Sequence, residues 1–445
     1  MLQLLGFRLR SIINTTLLVS VIFLVKYLWS TGSPLVSDTM APPPSAEHVA
    51  LILLAKKGHH LQSFEVLQSL WAGYGKICRI TATPTPFLSP ETQSYILKLI
   101  TPPLTKAHDE GHTRKILSYQ VEQYFYTHLA PQLPPSILVA KVWASMNEHH
   151  ADGTFTMATI LNDLKKDYPI EGEKREVLNP VQVYAALDWL SGFHGFWWTR
   201  VKDMNNELLV RPPMEEVQRD GQDAASKTVW LNGGYTYLAT RRKEYKALAT
   251  DYDTEWNMPL TDWEEDEYSM SEIVASVLAP KQRGWTPSSD YMTLIHGDVK
   301  SENLFTSKDG KEVVFYDFQY TGLGLGVCDL AKLFTCSVPI HMLVDDAQSA
   351  VPRELGLQEN ERKLLERYWN RLKKESGKEY EWNIFVGHWE TALVDWLRFQ
   401  ASWGFWGNTE WLEARVRFIL KNAEWKSAVI GNAKMAGLFQ EKNEF

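Results

Sequence analysis

Residues 296–305, HGDVKSENLF, set a histidine, an aspartate, a lysine and an asparagine just ahead of an apolar pair. A connecting loop rarely needs that density of polar groups to fold, so the stretch points to chemistry. Asp298 lies five residues before Asn303, and Asn303 lies fourteen before Asp317, which follows the strand-like VVFY. The segments LIHGD and EVVFYDF read as short strands, and two strands with a loop would bring the three groups together. Phosphoryl transfer needs this set. One carboxylate accepts the proton of an attacking hydroxyl, while an amide oxygen and a second carboxylate hold Mg2+ on nucleotide phosphates. Magnesium prefers oxygen ligands and keeps water and phosphate oxygens as partners. The spacing therefore predicts Asp298 as base, with Asn303 and Asp317 as metal ligands. Lys300, two residues past the base, adds a cation that would offset charge on the transferring group. The plainer reading is an Asx-turn loop between strands; it accounts for one such group but not for three at these intervals.

HGDxxxxN followed by DFQ at a strand end resembles the aminoglycoside phosphotransferase and choline kinase group of kinase-like folds. DFQ in place of DFG is most similar to the ecdysteroid kinase-like branch. The resemblance implies an α+β, bilobal, protein kinase-like fold, with a small β-rich N-lobe and a large, mainly helical C-lobe. It implies ATP and Mg2+ as cofactors, a lysine that positions ATP, and a helix glutamate paired with that lysine. Lys98 ends YILK as the family's third-strand lysine does. Glu122 sits in Tyr-x-x-Glu-x-x-Phe-Tyr, with Tyr119, Phe125 and Tyr126, similar to the family's helix motif. The 24 residues from Lys98 to Glu122 suit one strand-to-helix connection. Gly73 and Gly75 stand where a glycine turn would cover the nucleotide, although a glycine pair more often marks an ordinary turn. Leu161-Asn162-Asp163-Leu164 resembles the family's acidic hinge. GLGLGVCDLAKLF carries an acid, Asp329, that is structural in the family. Two positions depart from the pattern: Lys300 replaces a frequent tryptophan, and Asn162 replaces a hinge acid.

This resemblance spans about residues 60–430 and implies transfer of the γ-phosphoryl group of ATP to a hydroxyl of a small molecule. A choline or ethanolamine kinase is the alternative within enzymes, but the sequence after Asp317 lacks the acidic, asparagine-rich signature expected of one. A membrane-tethered pseudokinase without turnover is the alternative outside enzymes. A protein kinase would carry A-P-E after the DFQ segment, and none follows. His296 reads as an orienting group and His194 as a packed helix histidine.

The chain is long enough, at 445 residues with 44 % hydrophobic, for a two-lobed core. Its net charge of −8 argues against general nucleic-acid binding. Cys78, Cys328 and Cys336 are too few and too scattered for a disulfide framework or a zinc site. Residues 41–164 read as the N-lobe and 165–445 as the C-lobe. Within the first, residues 61–80 read as strand, glycine turn, strand; 94–100 and 153–164 as strands; and 112–133 as a helix. Helix signals dominate after 165. The run Asp251–Glu267 holds eight acids and no Lys or Arg and reads as a solvated loop, or as an attractor of a cationic acceptor. Trp389, Trp396, Trp403, Phe405, Trp406 and Trp411 recur near helical spacing and read as core, or as an aromatic wall for an acceptor.

Residues 1–40 differ in kind. Arg8 and Arg10 precede Ile12–Trp29, 18 mostly apolar residues that as a helix would reach about 27 Å. That approaches the roughly 30 Å of a bilayer core. The segment reads as a hydrophobic helix and single-pass membrane anchor, with a cleaved signal peptide or a mitochondrial presequence as alternatives. The arginines would hold the N-terminus in the cytosol and send the body across. No Asn-x-Ser/Thr sequon follows Asn14, however, which favours a cytosol-facing body.

Overall fold

The structure, a computed structural model, describes residues 44–85, 91–103, 109–150, 154–219, 227–278 and 290–438. The hydrophobic helix and linker expected over residues 1–40 lie outside these residues. Among the described residues no helix is long and apolar enough to cross a membrane.

Five antiparallel strands open the fold, in the order β1-β2-β3-β5-β4. They are β1 (His59–Ser69), β2 (Gly75–Pro84), β3 (Gln93–Ile100), β4 (Val142–His149) and β5 (Phe155–Asn162). Alternation of side chains along β3 decides what each face does. Tyr95, Leu97 and Leu99 turn to one face, where they pack with Val49, Leu53 and Leu54 of helix α1 (Ala46–Lys56). Lys98 and Ile100 turn to the other, toward helix α2 (Glu110–Tyr124). Ser45 caps α1 by accepting from the His48 amide at 3.1 Å, and Asp109 caps α2 by accepting from that of His112 at 2.6 Å. Past Tyr124 the chain widens into one π-helical turn, Phe125–Leu129, then tightens into a 3-10 turn, Ala130–Gln132, so the helix expected over 112–133 stays helical almost to its end but not α throughout, and Phe125 and Tyr126 are buried together.

The remainder is mainly helical. Helix α3 (Pro180–Trp198) begins with proline at its first position and a capping box between Asn179 and Gln182. Then follow α4 (Pro213–Arg219), α5 (Arg242–Ala249), α6 (Asn257–Thr261), α7 (Met270–Leu278), α8 (Val327–Ser337), α9 (Glu359–Ser376), α10 (Trp382–Trp403), α11 (Thr409–Lys421) and α12 (Ala423–Met435). The small strands between them are β6 (Ile170–Glu171), β7 (Trp263–Glu265), β8 (Tyr268–Ser269), β9 (Met292–Ile295), β10 (Leu304–Thr306), β11 (Val313–Phe315) and β12 (Gly322–Leu325). The two strands expected around the polar loop are not partners. β9 pairs with β12, whereas β11 pairs with β10, which in turn pairs with β6. The division at residue 164 is blurred by α2: Leu117, Val121 and Phe125 belong to the same core as the helical region.

Trp389, Trp396 and Trp411 are core residues, while Trp403 and Phe405 are 54 % and 41 % exposed. The acidic run is not a free solvated loop. It folds into α6 and the β7–β8 hairpin, and Glu255, Glu264 and Glu265 meet Arg417, Lys426 and Lys434 of α11 and α12 at 2.5, 2.8 and 2.6 Å. Three of the acids that would attract a cationic acceptor are thus already countered.

Arg415 and Glu361 are both fully buried and 3.2 Å apart, and the Trp389 indole donates to the same carboxylate at 2.8 Å. A buried pair of this kind adds little by itself, but removing one partner strands the other charge. Glu361→Ala is expected to lower unfolding free energy by about 3 kcal/mol, read as a lower urea midpoint.

Candidate active site

The polar loop, residues 296–303, joins β9 to β10, and Asp317 stands in the connection from β11 to β12. A buried carboxylate organises the loop. Asp329, near the start of α8 and with no solvent exposure, accepts from the His296 amide at 2.7 Å and the Gly297 amide at 2.9 Å. His194 of α3 meets the same carboxylate at 3.1 Å through Nε2, and its Nδ1 meets the Tyr368 hydroxyl at 2.8 Å. Burial would raise the Asp329 pKa, but the hydrogen bond and charge of His194, with Lys332 and His296 near, outweigh it and hold the carboxyl below its ordinary range. Lys332, one helical turn after Asp329, donates to the Gly297 carbonyl at 2.7 Å. Gly297 itself has φ +89°, and a Cβ there would lie 2.2 Å from the Tyr320 carbonyl oxygen. Only glycine fits.

His296 is oriented rather than free. Its Nε2 lies 2.9 Å from the Tyr316 carbonyl, so it carries the proton, and Nδ1 accepts from the Asp298 amide at 3.2 Å. Burial pushes its pKa down, in keeping with a neutral ring. This backbone frame presents Asp298 with its side chain 19 % exposed. The Asn303 amide nitrogen donates to the Asp298 carbonyl at 2.8 Å and to its carboxylate at 3.1 Å, which leaves the Asn303 Oδ1 as the available acceptor.

Lys300 bridges two carboxylates, Asp298 at 3.1 Å and Glu302 at 3.0 Å. Burial disfavours its charge, but the two acids outweigh that and raise its pKa above the ordinary value. Glu302 did not figure in the sequence reading. An acid two residues after the lysine and one before the asparagine was the available signal.

Lys98 meets Glu122 at 2.5 Å and Asp317 at 3.3 Å. The strand lysine, the helix glutamate and one of the two expected metal ligands therefore share one site across 219 residues of sequence. Burial alone would lower the Lys98 pKa, yet Glu122 and Asp317 together lift it above its ordinary value. Burial, with Asp317 beside it, likewise lifts the Glu122 carboxyl above its ordinary range despite Lys98. Asp317 holds φ +64°, an uncommon backbone state that aspartate tolerates better than most residues. Phe318 stacks on Phe125 with centroids 3.8 Å apart and lies 4.6 Å from the His296 ring. It thereby fixes the end of α2 against the polar loop.

Gly73 lies in the β1–β2 connection and Gly75 opens β2, with φ +75° and +151°. Gly75 pairs with Ile100, two residues along β3 from Lys98, and a Cβ on it would lie 1.9 Å from the Leu99 carbonyl oxygen. Asp163 of the hinge segment accepts from Arg79 at 2.9 Å and Ser94 at 2.7 Å, so it ties the hinge to β2 and β3. Asn162 accepts from the Lys141 amide at 2.5 Å.

Asp329→Asn removes one acceptor oxygen and faces a buried amide N–H with an NH2 group. Hydrogen bonds to a charged group contribute about 1.5–3 kcal/mol each. The variant is expected to lose about 3 kcal/mol of stability and to show faster amide exchange at residues 296 and 297, read by mass spectrometry.

Residues 74–352, well over half of the chain, match the ecdysteroid kinase-like family. No curated protein sequence matches the chain. Among solved structures it is similar to choline kinase from Cryptosporidium parvum Iowa II (10 % identity, 87 % of this chain and 91 % of that one, TM-score 0.39). It is also similar to Plasmodium vivax ethanolamine kinase (12 %, 88 % and 93 %, 0.39) and to a macrolide 2'-phosphotransferase from Brachybacterium faecium (10 %, 86 % and 97 %, 0.38). With its loop, its lysine–glutamate pair and its matched span taken together, this chain belongs to the ecdysteroid kinase-like family.

Proposed function

We propose that the protein transfers the γ-phosphoryl group of ATP, with Mg2+, to a hydroxyl of a small molecule. The observation that carries this reading is Lys98 standing between Glu122 and Asp317, at 2.5 and 3.3 Å. Lys98 would hold the α- and β-phosphates, with Glu122 fixing the ammonium. Asn303 Oδ1 and the Asp317 carboxylate would hold Mg2+, which neutralises phosphate charge when bound. Both are hard oxygen donors of the type magnesium takes. Among the described residues no group of three or more His, Cys, Asp or Glu side chains is placed to hold a metal. Two protein ligands fit an ion that completes its shell with phosphate oxygens and water.

Asp298 would orient the acceptor hydroxyl and take its proton. Lys300 would supply a cation for the transferring group, and its tether to Asp298 and Glu302 limits its reach. Gly73 and Gly75 would let the β1–β2 turn approach the phosphates closely. None of these groups is missing, which weighs against a scaffold without turnover. The apolar segment Ile12–Trp29 supports a membrane anchor, and the lack of an Asn-x-Ser/Thr sequon after Asn14 supports a kinase body facing the cytosol.

The test is the full-length protein with ATP, Mg2+ and pooled small-molecule extracts, followed by mass spectrometry. A new product heavier by one phosphate is expected, absent with Asp317→Ala. Asp298→Asn should slow its formation by about 10^2–10^4-fold. ATP binding with no product from any pool would sink the transferase reading.

A further inference from the structure

Helix α2 carries Glu122, yet its placement is not left to the sheet. In its middle it is held to the sheet, through Glu122 to Lys98 and through the Gln123 amide to the Ala158 carbonyl at 3.3 Å. At its C-terminal end Phe125 stacks on Phe318. Ser118 donates to Gln319 at 3.2 Å. The N-terminal end has a separate fastening to the helical region. Arg114 donates from Nη1 to the Thr240 carbonyl at 2.7 Å, and its Nη2 lies 3.6 Å from Glu244. Both side chains are largely shielded, at 12 % and 11 % exposure. Glu244 also accepts from Arg241 at 3.2 Å.

The turn that Arg114 grips is itself joined to the polar loop. Arg241 donates from Nε to the Tyr235 carbonyl at 2.7 Å, and its guanidinium lies 3.9 Å from the Tyr235 ring centroid. The Tyr235 amide donates to the Gly297 carbonyl at 2.9 Å. A continuous set of contacts therefore runs from Gly297, next to Asp298, through Tyr235, Arg241 and Glu244 to Arg114. From there eight residues of helix, about 12 Å, lead to Glu122. A planar guanidinium that binds a carbonyl and a carboxylate at once fixes orientation as well as distance.

We infer that Arg114 is a positioning residue for the reaction proposed above: its grip on the 240–244 turn holds helix α2 where Glu122 meets Lys98. The inference rests on Lys98 and Glu122 serving nucleotide binding. It assigns Glu244 and Arg241 as the anchorage on the opposite side.

The experiment uses the full-length protein and its variants Arg114→Ala, Arg114→Lys, Glu244→Gln and Arg114→Ala/Glu244→Gln. Affinity for Mg·ATP is read by direct titration, and amide exchange over residues 110–124 is read without nucleotide. Arg114→Ala should weaken Mg·ATP about tenfold and speed exchange across 110–124, with the β1–β5 amides unchanged. The double variant should lose less than the sum of the two single variants, because the Arg114–Glu244 contact is counted in both. Arg114→Lys keeps the charge without the fork and should recover part of the affinity. Wild-type affinity and wild-type exchange in a folded Arg114→Ala would overturn the inference. If the unaltered protein takes up no Mg·ATP, the transferase reading fails, and the exchange result alone decides whether Arg114 holds the helix.

Discussion

Everything at this site hangs from one carboxylate that water does not reach. Asp329 takes two successive backbone amides of the loop that carries Asp298, and a histidine from α3 closes its remaining side. Burying a charge is costly unless it is fully hydrogen-bonded, and here the partners are those whose geometry must be fixed. The cost of desolvation is thereby turned into loop order. Lys332 adds the complementary grip on the Gly297 carbonyl. A loop held by both its N–H and C=O groups needs only the Asn303 amide, of its two functional side chains, to brace Asp298.

The second organising force is a shortage of cations. Lys98 serves Glu122 and Asp317, and Lys300 serves Asp298 and Glu302. Each ammonium faces two carboxylates, so the empty site carries excess negative charge at low solvent exposure. Such a field favours a divalent cation arriving with its phosphates over a bare anion. It also explains why the lysines hold their protons firmly, while burial is what chiefly draws Glu122 toward protonation.

Much of this was legible in the sequence. The strand holding Lys98 and the helix holding Glu122 appear where periodicity and motif placed them, because each depends on local order. Helix α1 went unseen, because AEHVALILLAK is apolar on nearly every face and gives no periodic signal. β4 went unseen too, with residues of both strand faces exposed toward its end. The pairing of β9 with β12 in place of β11 was beyond reach, since register between short strands is a long-range matter. The same limit hid Arg114 and the α11–α12 partners of the acidic run, whose significance lies in what they meet across the fold. The sequence marked Asn303 as a candidate metal ligand, but gave no sign that its Nδ2 also holds Asp298.

The backbone at Asp317 gives the site an unusual vulnerability. A residue at φ +64° sits in a conformation that glycine or asparagine adopts with equal or greater ease. Most substitutions that erase a functional group also disturb the fold, and selection removes them for that reason alone. Here the opposite holds: exchange of Asp317 for Gly or Asn would relax the chain while abolishing the carboxylate. A duplicated gene freed from the need for turnover would meet little structural resistance on the way to an inert, well-folded descendant.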